Sequence, residues 1–268
     1  MLLSRSIVTL TTDFGSSDPY VGIMKGAILN VNPEAELVDI THDIRPYDVM
    51  EAAFAVAQAY SYFPPRTIHL VVVDPGVGTP RRPLLVTAGR YHFICPDNGV
   101  LSVVLAKEEG ITVRAITSTH YYLEPVSNTF HGRDIFAPVA GWLSRRVETE
   151  KFGEPITDHV RYAPPSPKRL NEKLVKGVVI HVDRFGTLRT NITPADVPEI
   201  FGLDPKPFKI VVGKCEVTQI RQAYAEGAQG EVFAIVGSAG FIEIASNRAS
   251  AAQAVGTGKG TEVGVVLS

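Results

Sequence analysis

The pattern of the chain changes once, at "RYAPPSPKR" (161–169), and that change constrains the fold more than any other feature. Before it, β-branched runs alternate with helical stretches. After it, short apolar runs follow one another with glycine-bearing turns between them. Three prolines among small polar residues make the stretch itself a semi-rigid connector, because proline fixes its backbone and lacks an amide donor. A chain of 268 residues is long enough for two domains of ordinary size. The expected division is an N-terminal domain at 1–160, a linker at 161–172 and a C-terminal domain at 173–268.

The first part reads as strand, loop and helix, repeated. "SIVTLTT" (6–12) is crowded with β-branched residues and predicts a strand. Asp18 is suited to cap the helix that follows, with Pro19 at its first position and Val21, Met24, Ile28 and Leu29 along its apolar side. "ELVDIT" (36–41) predicts a second strand, and Asp48 with Glu51 a capping box for a second helix running to about Phe63. "TIHLVVVD" (67–74) is apolar at successive positions, as in a strand covered on both faces. "PLLVTAG", "YHFI" and "ITVRAI" continue the strands. This alternation predicts a layered α/β domain with a mostly parallel sheet. Beyond the connector, "LVKGVVIHVD", "GTLRTNI", "FKIVVG", "EVFAIVG", "FIEIA" and "EVGVVLS" predict an all-β domain, a small barrel or a sandwich, with helical periodicity only near 245–255.

Several function classes are disfavoured by composition. With 26 basic and 28 acidic residues the net charge is −2, which gives no reason to expect nucleic-acid binding. Cys95 and Cys215 stand far apart and form neither a disulfide framework nor a thiolate metal site. The opening "MLLSRSIVTLTTDFG" is too quickly polar for a signal peptide, and no apolar run approaches the roughly 20 residues of a membrane span. A cytoplasmic protein without membrane contact is expected.

Ligands of parallel α/β sheets gather beyond the carboxyl ends of the strands. Three such ends carry acids here: Asp13, Asp43 and Asp74. Each alone suits a turn or a cap; together they suggest a cleft. An ionised Asp13 can accept two hydroxyl hydrogen bonds from a ribose, with Gly15 allowing close approach. Asp74 opens "DPGVGTPRR" (74–82), whose glycines can fold the loop back and bring Arg81 towards the same cleft. The alternative is that Arg81, and more so Arg82, are solvated loop charges. In "SNTFHGRDIFAP" (127–138), His131 precedes a helix with Asp134 at or near its cap. Asp74, Arg81 and His131 together could hold and polarise a water, with the histidine as base or orienter. Asp13, His42, Asp43 and Asp74 could instead serve a metal-dependent phosphohydrolase. His69 and His92 read as packed strand residues. "GTGKG" (256–260) lacks the context of a phosphate loop and reads as a hairpin turn. In the second part, Asp183 and Asn191 flank a Phe185-Gly186 turn, and "GSAGFIEIASNRA" (237–249) offers Ser238 and flexible backbone as a rim for a nucleobase.

Five of these stretches, in order, resemble the S-adenosyl-L-methionine (SAM) hydroxide adenosyltransferases, adenosine-forming SAM hydrolases related to the fluorinating and chlorinating SAM enzymes. They are "TDFGSSDPYVG" (12–22), "DPGVGTPRR" (74–82), "NTFHGRDIFAP" (128–138), "VDRFGTLRTNI" (182–192) and "GSAGFIEIA" (237–245). The resemblance implies a homotrimer, with each site between the N-terminal domain of one subunit and the β domain of its neighbour. It implies Asp74, Arg81 and His131 as the hydrolytic trio, Asp13 for the ribose and Asp18 for the methionine amino end. It places Asp183, Thr187 and Ser238 at the methionine end, and Phe185 and backbone near Ala249 along the adenine and sulfonium. Asn191 is expected among the binding residues. The halogenating relatives lack the trio, so its presence implies water as nucleophile, with SAM as substrate and no metal or other cofactor. The family usually has Asn at Thr187 and Asn-Ser at Gly237-Ser238, two departures that bear on affinity. A SAM- or adenosine-binding regulatory protein is the non-enzymatic alternative.

Overall fold

A computed structural model describes residues 5–202 and 204–268. The chain divides into two compact units, Met1–Pro164 and Pro165–Ser268.

In the first unit six strands form one sheet: β1 (Ile7–Thr12), β2 (Glu36–Thr41), β3 (Ile68–Val72), β4 (Pro83–Ala88), β5 (Tyr91–Pro96) and β6 (Thr112–Ala115), in the order β2-β1-β3-β5-β4-β6. Strands β2, β1, β3 and β5 run parallel, as expected, and β4 runs against both β5 and β6. The reversal has a local cause. Only Gly89 and Arg90 separate β4 from β5, far too few residues for a parallel crossover, and Gly89 takes the positive φ of a tight hairpin. Every residue of β3 is buried, the mark of a strand covered on both faces.

Helix α1 (Tyr20–Val31) buries Met24 and Ile28 against α4 (Ala137–Ser144) and the sheet core of Val8, Leu10, Leu70 and Val72. It begins one residue later than expected. Pro19 is its N-cap, and Asp18 is exposed and makes no cap hydrogen bond. Leu29, expected on the buried side, is exposed, because Met24 and Ile28 already define the packed face. Helix α2 (Val49–Ala59) starts as predicted, with Asp48 Oδ1 accepting from the Glu51 amide at 2.9 Å. A short α3 (Ser102–Leu105) follows the "PDNG" turn.

The second unit is a nine-stranded, largely antiparallel sheet. Its strands are β7 (Lys168–Asn171), β8 (Leu174–Val182), β9 (Leu188–Thr190), β10 (Phe208–Val212), β11 (Cys215–Val217), β12 (Ile220–Arg221), β13 (Val232–Val236), β14 (Ile242–Ser246) and β15 (Glu262–Leu267). The sheet is a curled half-barrel that buries Val175, Leu188, Ile210, Ile244 and Val265 on one side. Residues 168–171, within the stretch read as linker, form β7 and pair with β8. The α-helix of this unit, α5 (Ala251–Val255), is shorter than the 245–255 periodicity suggested, because 242–246 pair as β14. "GTGKG" is not a hairpin turn: Gly256, at φ +70°, ends α5 by donating its amide to Ala252 at 2.9 Å.

Candidate active site

The register Thr12↔Val72 between β1 and β3 sets the ends of two neighbouring parallel strands side by side. Asp13 and Asp74 emerge there, and both line a cavity of about 340 Å3. Asp43 does not join them. It lies exposed beyond edge strand β2, its amide donating to Thr41 Oγ1, so the expected group of three acids is a pair.

The 74–82 loop folds back as its glycines allow. Val77 N donates to Asp74 O at 3.2 Å, and Thr79 N to Gly76 O at 3.1 Å. Gly78 has φ +76°, and a Cβ there would lie 2.2 Å from the Asn128 carbonyl oxygen. This glycine therefore lets the loop press against the segment that carries His131. Arg81 returns over its own loop. Its Nε donates to Asp74 Oδ1 at 3.0 Å, and its Nη2 to Asp74 Oδ2 and to His131 Nδ1, the latter at 2.7 Å. Its guanidinium carbon lies 5.3 Å from the centroid of the buried Phe136 ring. The Asp74 and Arg81 side chains are 5% and 9% exposed, so this is a desolvated, bidentate pair. Arg81 Nη1 is buried without a partner among the described residues.

His131 caps a π-helical turn, Gly132–Phe136, that leads into α4. Gly132 packs closely there: a Cβ would sit 3.1 Å from both Met24 Sδ and the Phe130 ring, so those side chains would have to give by a few tenths of an ångström. Asp134 is not a cap. It is buried, accepts the Ser127 amide at 2.8 Å and pairs with Arg133, tying the 127–134 loop to its helix. A guanidinium only donates, so His131 Nδ1 accepts from Arg81, and in the neutral ring Nε2 carries the proton. Burial, then the Arg81 charge, hold the His131 pKa below the usual histidine range, against the opposing pull of Asp74 and Asp134.

Asp13 Oδ2 accepts the Tyr47 amide at 2.8 Å. Tyr47 is a non-glycine residue at φ +69°, a conformation that aims this amide at Asp13 and leaves the ring at the cavity rim. Phe14, Tyr20 and Phe130 complete the wall as a cluster with centroids 5.3–5.9 Å apart. These four aromatics were not singled out from the sequence, although each sits inside or beside a motif that was. Arg82 is not a solvated charge: it pairs with Asp97 at 2.7 Å and with Asp158 at 2.7 Å. His42 hydrogen-bonds Thr12 Oγ1 and pairs with Asp39. Among the described residues no three His, Cys, Asp or Glu side chains are arranged to hold a metal ion, so the expected Asp13–His42–Asp43–Asp74 metal set does not assemble. His69 and His92 lie in β3 and β5, as read from the sequence.

The β unit has its own cavity, of about 590 Å3, lined by Asp183, Phe185, Thr187, Tyr224 and Ala249 among others. Asp183 Oδ1 accepts the Phe185 and Thr187 amides at 2.9 and 2.8 Å, which fixes the turn and leaves the Phe185 ring 80% exposed. A Cβ on Gly186 would fall 2.0 Å from Ser250 Oγ, so the turn and the 246–250 segment can close on each other only with glycine there. Asn191 is not part of this cavity. It is buried, accepting from Val178 N at 2.7 Å and donating to Pro165 O at 2.9 Å, so both ends of its amide brace the domain. Ser238 lies exposed in the loop between β13 and β14, outside the lining. Its neighbour Gly237 packs so tightly that a Cβ would lie 2.4 Å from the Glu243 carboxyl carbon, while Glu243 is buried and paired with Arg189 at 2.7 Å.

Comparison with known proteins identifies the family. Residues 8–153 match the SAM hydroxide adenosyltransferase N-terminal domain, and 177–264 the C-terminal domain of the same family. A protein of Thermus thermophilus named (R)-S-adenosyl-L-methionine hydrolase is 33% identical over 270 residues, covering 96% of this chain and 98% of the relative. One of the same name from Methanocaldococcus jannaschii is 38% identical over 71% of this chain and 68% of the relative. The crystal structure of an uncharacterized conserved protein from Thermotoga maritima superposes with a TM-score of 0.90 at 36% identity, covering 97% of this chain and 99% of the other. With both domains matched, and the Asp–Arg–His trio closed at the head of its sheet, the chain belongs to the SAM hydroxide adenosyltransferase family.

Proposed function

We propose that the protein hydrolyses S-adenosyl-L-methionine to adenosine and methionine, with the 340 Å3 cavity holding the reacting centre. The observation that carries this reading is the closed Asp74–Arg81–His131 arrangement on its wall. The sulfonium is already an activated leaving group, so no general acid is required. A water oxygen forms the bond to ribose C5′ while the C5′–S bond breaks, and its electron pair stays on sulfur as the neutral thioether. The water loses one proton. Arg81 is donor-only and His131 Nδ1 is engaged, so the acceptor in the trio is the Asp74 carboxylate, whose oxygens each keep a lone pair beyond Arg81. His131 Nε2–H is left to orient the water. Arg81 balances the charge and holds both partners still, so the work lies in positioning within a partly desolvated cavity. No cofactor takes part in this scheme.

Asp13 is assigned to the ribose hydroxyls, and Asp18 to the methionine amino group. Asp183, Phe185, Thr187, Ser238 and Ala249 are assigned to the rest of the substrate, contributed by the β unit of a second copy in a homotrimer. Support for these roles comes from the family relationship and from the gathering of four of the five in one cavity. A sulfonium with three different carbon substituents is a stereocentre, and the relatives' names specify the (R) form; the same preference is assigned here.

The test is incubation of chelator-treated protein with each resolved sulfonium epimer in 18O-water. The expected outcome is equimolar adenosine and methionine, with the label in the adenosine 5′-hydroxyl and faster turnover of the (R) epimer. Bound SAM without product would make the protein a SAM-binding regulator. Mixing an Asp74→Asn variant with an Asp183→Ala variant should restore part of the lost activity if each site draws on two subunits; no restoration would exclude the shared site.

A further inference from the structure

At the end of the sheet opposite Asp13 and Asp74, the first unit holds a second cavity, of about 410 Å3, which the proposed reaction does not use. It lies where β1 and β3 begin, with His92 at the start of β5 and Arg146 just after α4 on its lining. Arg5 and Arg66 also line it, and Glu148 is the one acid that does. The excess of positive charge belongs to a chain whose net charge is −2, so it is a local feature.

The backbone supplies an independent observation. Among the described residues, four that are not glycine adopt a positive φ: Tyr47, Arg66, Arg146 and Arg248. This conformation costs free energy for any residue with a Cβ, and persists where the surroundings enforce it, often at ligand sites. Tyr47 lines the cavity assigned to the reacting centre, and Arg248 the one assigned to the rest of the substrate. Arg66 and Arg146, at φ +71° and +67°, both line this third cavity. Neither guanidinium has a carboxylate partner among the described residues; Arg5 approaches Glu34 only at 3.9 Å. His92 Nδ1 is held by Thr87 Oγ1 at 3.1 Å, and burial together with the Arg66 charge keeps its pKa below the usual histidine range.

We propose that this cavity binds a small molecule carrying a phosphate or diphosphate group, gripped by Arg66 and Arg146 with His92 beside it. Two unpaired planar guanidiniums match a multiply charged oxyanion, and the volume lies within the usual range for small-molecule sites. The site is separate from the SAM cavity and does not depend on the proposed reaction.

Pyrophosphate is the probe, followed by the His92 ring resonances in labelled protein and assigned with a His92→Asn variant. The comparison is the double variant Arg66→Gly/Arg146→Gly. Glycine accepts a positive φ without strain, so this variant keeps its fold and its melting temperature while losing both cations. Saturable shifts of His92 with a rise in its pKa, weakened at least about tenfold in the double variant, are the expected result. SAM hydrolysis should be the same in both proteins. An unsaturable response, equal binding by the double variant, or the same shifts from sodium chloride at matched ionic strength would overturn the proposal.

Discussion

Arg81 Nη2 lies 2.7 Å from His131 Nδ1 while the same guanidinium grips the Asp74 carboxylate, so one residue fixes both the histidine tautomer and the carboxylate orientation. A histidine placed this way presents a donor to the cavity. Its protonation would set a second donor against Arg81.

That arrangement gives kcat a defined acid limb. His131 is charged only below a pKa that burial and Arg81 hold under the ordinary histidine range. Turnover should therefore persist through the pH region where a free histidine titrates, and fall only at lower pH. Removing the charge with Arg81→Gln should move the limb upward as well as lower the rate. A kcat–pH profile with the same acid limb in both proteins would exclude this coupling.

Asp74 carries the water proton in the proposed scheme. Asp74→Asn keeps the shape and removes the acceptor charge, and kcat should fall by a factor of about 100 or more with SAM affinity changed little. Because the pair is buried, the variant also loses stability, and thermal unfolding should be measured alongside. Wild-type turnover would remove Asp74 from its role.

Asp13 is held by the Tyr47 amide and lines the same cavity. Replacing it with alanine should weaken adenosine and SAM binding alike, by roughly 10- to 100-fold for the loss of charge-assisted hydrogen bonds. Calorimetric titration with both ligands would show it; unchanged affinities would assign the ribose elsewhere.

His69 should contribute to the loss of stability in acid. It is fully buried among Tyr60, Tyr91 and Phe93, bonded through Nδ1 to Thr9 Oγ1, and burial lowers its pKa from 6.5 to about 3. Between those values the unfolded chain binds a proton that the folded chain refuses. Stability is thus lost as pH falls below about 6.5, by about 1.4 kcal/mol per unit. A Thr9→Val/His69→Phe variant should show a shallower decline in urea unfolding between pH 7 and 4.5. Parallel declines would contradict the assignment.

Gly237 is constrained by packing. The asparagine expected there from the resemblance would drive a Cβ into the buried Glu243 carboxylate and disturb its pair with Arg189. Gly237→Asn should destabilise the protein by about 1–3 kcal/mol, visible as a lower denaturant midpoint. A variant as stable as the parent would mean that Glu243 has room to move.

The order of strands and helices, the strand-end positions of Asp13 and Asp74, and the Asp48 cap follow from patterns a few residues long, and such patterns are written locally in the sequence. So were the motifs that mark the family. What local pattern does not contain is partnership. Asn191 sits four residues from Thr187, yet both ends of its amide face inward to Val178 and Pro165, because the register of β8 and β9 decides where that side chain points. Asp43 has the chemistry of Asp13, but it follows an edge strand. Arg82 is adjacent to Arg81 and serves Asp97 and Asp158 instead. The aromatic wall of Phe14, Tyr20 and Phe130 brings together residues up to 116 positions apart, and only the packing of α1 against the 127–134 loop joins them. The sequence thus determined which chemical groups stand at the sheet edge. Tertiary structure alone decided which of them meet, since hydrogen bonds and burial depend on distances that chain connectivity does not specify.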